Sequence, residues 1–176
     1  MRSCLLILAL MWLIPSSVQA DEVPRASAAK AMWRAVEFYH GSVSSHGGYV
    51  YRYSADLKKQ EGEGIAGRDT VWVQPPGTPA VGMAYLNAYE RTRQPYLLEA
   101  AKAAGECLIQ GQLRSGGWTS HIDFDPQLRA KYAYRVDAAQ PKAFNVSTFD
   151  DDKTQSALRL LIKLDQALEF KDQRVR

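Results

Sequence analysis

A repeat is the feature of this sequence that most constrains its fold. Two Gly-Gly-aromatic triplets, Gly47-Gly48-Tyr49 and Gly116-Gly117-Trp118, stand 69 positions apart, and each lies between the same two kinds of segment. Upstream of each is a stretch with helical spacing and a wet stripe. Downstream is a long loop and then a mostly apolar helical stretch, beginning near Pro79 in the first copy and near Asp151 in the second. A period of roughly 70 residues running through helix, corner, loop and helix marks a chain built from copies of one supersecondary unit.

The elements read as follows. A helix is predicted over 27–40, with Ser27, Lys30, Arg34 and Glu37 forming the polar stripe, Ala29, Met32, Trp33 and Val36 opposite, and Gly41 closing it. Val50 to Gly77 reads as loop with short aromatic strands around Tyr51-Arg52-Tyr53 and Val71-Trp72-Val73. Thr78 is the expected N-cap and Pro79 the first residue of a helix to Arg91 that is apolar nearly all round and should be buried on more than one side. Pro95 opens a surface helix to about Leu113, with Glu99, Lys102, Glu106 and Gln110 wet. The last helix, through Leu160, Leu161 and Leu164, should be buried, with Asp150 as N-cap and Asp151 and Asp152 as first-turn acids favoured by the helix dipole.

Half-wet helices alternating with dry ones are expected when outer helices shield inner ones around an axis. The fold class is therefore mainly α, an α/α toroid or an arc of one with about two outer-inner pairs. In such a ring the outer-to-inner loops gather on one face, where the inner helices present their amino ends. Both glycine-aromatic corners and the Asp150 cluster belong to that face, with Tyr49 and Trp118 as flat apolar plates for a ligand. Bunched carboxylate oxygens are also the ligand type of a hard cation such as calcium, although no spaced calcium-loop pattern occurs.

Charge and cysteine content narrow the classes of function. The formal charge of +3 over 176 residues, without a polybasic run, argues against nucleic acid. Residues 1–20 carry Arg2, the apolar core Cys4 to Ile14, and Val18-Gln19-Ala20 before Asp21, the order of a secretory leader whose apolar core is too short for a membrane span. A secreted or periplasmic protein of one domain, 21–176, is expected, with no membrane association after the leader is removed. Cys4 leaves with the leader, so Cys107 has no internal partner and reads as a small buried hydrophobe on its helix. His40, His46 and His121 lack metal-site spacing, and no phosphate loop or nucleophile elbow is present.

Gly116-Gly117-Trp118, followed by Thr148-Phe149-Asp150-Asp151 and Gln155-Ser156-Ala157-Leu158-Arg159, resembles the pectic acid lyase family, also called pectate lyase family 10. The resemblance implies an α/α toroid that cleaves polygalacturonate by calcium-assisted β-elimination, with an arginine as base. It puts the family's essential aspartate on Asp150 and makes Asp150 and Asp151 the metal or substrate-carboxylate contacts. The chain departs from the family in carrying Thr119-Ser120-His121 where Pro-Lys is usual. It also reaches Arg176 before the region where the family carries its catalytic arginine.

A base from within the chain would come from the arginines of the candidate face. Arg135 is named for that role, and Arg52 and Arg114 for pairing with a uronate carboxylate. Tyr49, Trp72 and Trp118, with Tyr51, Tyr53 and Tyr134, are candidates to line a sugar groove. The leading expectation is a pectate lyase-like protein acting on an acidic polysaccharide. Its rivals are a non-catalytic exported module that binds such a polymer, and a cyclase-like toroid using an aspartate as general acid.

Overall fold

A computed structural model of the chain describes residues 24–175. The leader expected over 1–20 and its cleavage point before Asp21 lie outside the described residues. The fold is mainly α. Its elements in chain order are α1 (Arg25–Phe38), which runs into a π-helical turn (Tyr39–Val43), the short strands β1 (Arg52–Tyr53), β2 (Gln60–Glu61), β3 (Ile65–Ala66) and β4 (Thr70–Trp72), α2 (Thr78–Thr92), α3 (Pro95–Gln110), β5 (His121–Asp123), the single turn α4 (Pro126–Arg129), a 3-10 turn (Asp150–Asp152) and α5 (Lys153–Ala167).

Three helices make the core. α2, α3 and α5 pack on one another around Leu86, Leu97, Ala104, Leu108, Leu160 and Leu164, all fully buried. Small residues let their axes approach. A Cβ added at Gly82 of α2 would stand 2.5 Å from Leu160 Cδ2 and 2.9 Å from Ala104 Cβ, and one at Gly105 of α3 would stand 2.4 Å from Leu164 Cδ2. Close packing of this kind leaves no room for an extra methyl without displacing a neighbouring helix.

The helix environments differ from the sequence expectation. α3, expected at the surface, buries Leu97, Ala100, Ala101, Ala104, Gly105, Cys107 and Leu108, because both α2 and α5 pack against it. α2, expected to be dry on more than one side, buries a single stripe of Thr78, Pro79, Gly82, Tyr85 and Leu86. α5 leaves Leu158 and Ile162 exposed. α1 buries no residue: Met32 and Val36 rest against the core cluster, but Trp33 is exposed. Only Met32 and Val36 of its dry face rest on the core, which offers little apolar area to hold it down.

Two small antiparallel sheets carry the loops. β1, β2 and β3 form a meander, with Arg52 opposite Glu61 and Gln60 opposite Ala66. β4 pairs with β5, setting Thr70 opposite Asp123 and Trp72 opposite His121. This second pairing ties the loop after the first corner to the strand just after the second corner. Among the described residues no helix is long and apolar enough to cross a membrane.

Candidate functional site

The two corners are built alike. Gly47 and Gly116 both have positive φ, +80° and +98°, the left-handed conformation that favours glycine. After each pair the aromatic residue turns inward and its main chain is clamped. The Tyr49 N–H donates to Thr78 Oγ1 at 3.0 Å, and the Trp118 N–H donates to Thr154 Oγ1 at 3.2 Å. The Tyr49 carbonyl accepts from the Trp72 N–H at 2.8 Å, and the Trp118 carbonyl accepts from the Thr148 N–H at 3.0 Å. Both clamping residues of the second corner, Thr148 and Thr154, follow their first-corner counterparts Trp72 and Thr78 by 76 positions. The same register sets Gln74 against Asp150.

These threonines are occupied by the corners and do not cap their helices. α2 begins at Thr78 after Gly77, with no side-chain cap, so the expected N-cap role of Thr78 is corrected. Asp150 is likewise not the N-cap: α5 begins at Lys153, the cap position falls to Asp152, whose side chain makes no capping bond, and Asp150–Asp152 form a 3-10 turn in which Asp151 and Asp152 both have positive φ, 49° and 61°. Aspartate tolerates that conformation better than most residues.

Around this turn the two repeats meet. Lys153, only 8% exposed, brings its Nζ within 3.7 Å of Asp150 Oδ2 and 3.5 Å of Asp151 Oδ2. Gln74 donates from Nε2 to Glu63 Oε1 at 2.8 Å and to Asp151 Oδ2 at 3.4 Å. Tyr51 lies in the same field: burial, with the charges of Glu63 and Asp151, pushes its phenol up to about 12. Three buried polar atoms here have no hydrogen-bond partner, namely Tyr51 Oη, Trp72 Nε1 and Gln74 Oε1. Each such atom costs about 1–3 kcal/mol unless something satisfies it.

Beside this cluster, Trp72 stacks on His121 with ring centroids 5.2 Å apart. His121 Nδ1 lies 3.2 Å from Ser120 Oγ, and its Nε2 lies 3.1 Å from Tyr132 Oη and 3.3 Å from Asp123 Oδ2. The buried Asp123 accepts from Thr70 Oγ1 at 2.6 Å. Burial alone would raise its pKa, but the hydrogen bonds from His121 and Thr70, and the charges of His121 and Lys131, hold it below the ordinary carboxylate value. A cavity of about 310 Å³ lined by Thr119, Ser120, His121, Lys131, Tyr132 and Phe144 opens here, at the position where the chain departs from the lyase pattern.

The residues named from the sequence divide into three groups. Asp150, Asp151 and Trp72 come together with Tyr51, Gln74 and Lys153. Tyr49 and Trp118 belong to that face by their main chains, but their rings, 0% exposed, fill the core. Tyr49 Oη meets Tyr85 Oη at 3.0 Å, and the Trp118 indole N–H donates to the Leu108 carbonyl at 2.8 Å. Neither ring presents a plate to a ligand, because each is the plug that seats its corner on the helices. The third group is the arginines, all exposed. Arg52 pairs with Glu61 at 2.9 Å, Arg114 donates to the Asp137 carbonyl, and Arg135 donates to Gln112 Oε1 at 2.8 Å. Among the described residues none of these three is hydrogen-bonded or ion-paired to the acidic trio, and the arginine that is, Arg159, pairs with Asp152.

For calcium, Asp150 and Asp151 are the right donor type, but the Lys153 ammonium already stands by both carboxylates. Among the described residues no three His, Cys, Asp or Glu side chains converge to hold a metal.

Sequence reasoning did not single out Gln74, Glu63, Lys153 or Asp123. The signal for Gln74 lies in the repeat, once it is registered on the threonines and not on the glycines. Comparison of the chain with known protein families, with curated proteins and with solved structures found no match in any of the three.

Proposed function

We propose that this protein is an exported, pectate lyase-like arc of an α/α toroid, directed at an acidic polysaccharide of the polygalacturonate type through the face that carries Asp150, Asp151, Lys153, Gln74 and Trp72. The observation that carries the reading is the duplicated corner, in which Thr78 and Thr154 each clamp an aromatic main chain and so bring both repeats' loops to one place. A buried ammonium flanked by carboxylates, with indole and phenol rings beside it, is suited to a polymer that alternates charge with apolar sugar faces. β-Elimination is read from the appearance of unsaturated uronide when the protein is incubated with polygalacturonate, with and without calcium. Rising absorbance carries the lyase reading, and no rise together with no binding ends it.

A second reading is favoured by one specific observation. Arg52, Arg114 and Arg135 all bond elsewhere, which leaves Asp150 and Asp151 without the arginine base that the lyase resemblance implies. On that reading the chain is a non-catalytic module for the same polymer. Binding of polygalacturonate without any unsaturated product selects it. The cyclase-like alternative has no such support, since the acids are exposed and charged groups surround them.

A further inference from the structure

We propose that Tyr51, Trp72 and Gln74 form a hydroxyl-binding subsite, covered by the Gly62-Glu63-Gly64 turn, for the sugar unit next to the one at Asp150. The proposal rests on the acidic-polysaccharide reading and extends it into the first repeat. Its basis is chemical: Tyr51 Oη, Trp72 Nε1 and Gln74 Oε1 are all buried and all without a partner, and Gln74 is bonded to Glu63 of the same turn whose Gly62 lies on the Trp72 indole. Trp72 and Gln74 are 8% and 9% exposed, and the Tyr51 and Trp72 rings meet edge to face at 5.9 Å. An indole donor, an amide acceptor and a phenol that can do either match a pair of sugar hydroxyls, each of which donates one hydrogen and accepts others.

Two further observations fix the ligand class and the position. Glu63 and Asp151 flank Gln74, so a second carboxylate on this side would be repelled, and the hydroxyl edge of the sugar is what fits. The repeat places Gln74 where the second copy has Asp150, so the two inner-helix starts offer equivalent seats to successive units of one polymer. The cover is the turn between β2 and β3. Its Gly62 lies so close on the Trp72 indole that a Cβ would stand 2.2 Å from Cδ2, and Glu63 is held by the Gln74 amide at 2.8 Å. Glycine on both sides of Glu63 gives this turn the freedom to lift, exchanging the Glu63 carboxylate for a ligand hydroxyl.

The test uses the full chain, oligogalacturonides of increasing length, and calorimetric affinities for the wild type, Tyr51→Phe and Trp72→Phe. Tyr51→Phe keeps the ring and removes only the unpartnered hydroxyl, so its thermal stability should hold or rise, whereas Trp72→Phe also exchanges the buried indole for a smaller ring and should lose some stability. Wild-type affinity should increase when a neighbouring unit is added, and each variant should lose roughly three- to tenfold of it. Wild-type binding with variant affinities within twofold overturns the subsite while leaving the polysaccharide reading intact. It would mean that trapped water satisfies these atoms. Failure of the wild type to bind any oligomer overturns that reading, and the subsite falls with it.

Discussion

Thr154 holds Trp118: its Oγ1 accepts the Trp118 N–H at 3.2 Å while its hydroxyl donates to the Thr148 carbonyl at 2.7 Å, so one side chain pins the corner and the loop that leads to α5. Thr78 does the same for Tyr49, accepting its N–H at 3.0 Å. Valine keeps the shape of threonine but leaves a buried N–H unpaired. Thr154→Val and Thr78→Val should each cost about 1–3 kcal/mol in urea denaturation. Two fully stable variants would mean that the clamps contribute nothing and the corners are held by packing alone.

Gly47 and Gly116 separate backbone conformation from steric fit. Both have positive φ, but a Cβ at Gly47 would stand 2.3 Å from the Ala103 carbonyl oxygen on α3, whereas one at Gly116 would meet nothing within 4 Å. Gly116→Ala should cost about 1–2 kcal/mol, the conformational penalty alone. Gly47→Ala should cost roughly 3 kcal/mol or more, since the corner must also move off the helix. Equal losses measured by thermal denaturation would contradict this.

Lys153 Nζ stands within 3.7 Å and 3.5 Å of Asp150 and Asp151, the two carboxylates that the proposed lyase reading gives to calcium. Lys153→Met keeps most of the buried stem and removes the charge that compensates Asp150 and Asp151. Calcium titration followed by calorimetry should give a tighter affinity for this variant than for the wild type, and polygalacturonate binding without calcium should weaken. A variant with wild-type calcium behaviour would show that the ammonium does not occupy the cation position.

Asp123 gives the fold an acid-sensitive element. Its folded-state pKa lies below the ordinary 3.8, so it contributes stability that is present above that value and is lost as pH falls through the lowered one. Unfolding free energy should therefore decline as pH drops from about 5 into the strongly acid range. Asp123→Asn should flatten that part of the curve and lower stability at neutral pH. An unchanged slope would place the acid sensitivity elsewhere.

Cys107 should be inert. It is fully buried on α3, and burial drives its thiol well above the usual value. A thiol reagent at mildly alkaline pH should modify it only in denaturant, as read by peptide mass. Rapid modification of the native protein would mean that the face of α3 carrying Cys107 opens readily.

Local pattern by itself determined much of this protein. The duplicated Gly-Gly-aromatic corners, the helices after Pro79 and Pro95, the acidic turn ahead of α5 and the buried character of Cys107 follow from spacing, turn chemistry and amphipathic period, which are properties of neighbours in sequence. Tertiary structure decided where the side chains point. Tyr49 and Trp118 became core plugs because α2, α3 and α5 close around them, and α3 became buried because its small residues let α2 and α5 pack on it. Gln74 met Asp151 across 77 residues, and Trp72 met His121, because strand pairing and the threonine clamps fold one repeat's loop onto the other's. No periodicity within either segment encodes those encounters, since they depend on how two distant loops share one volume.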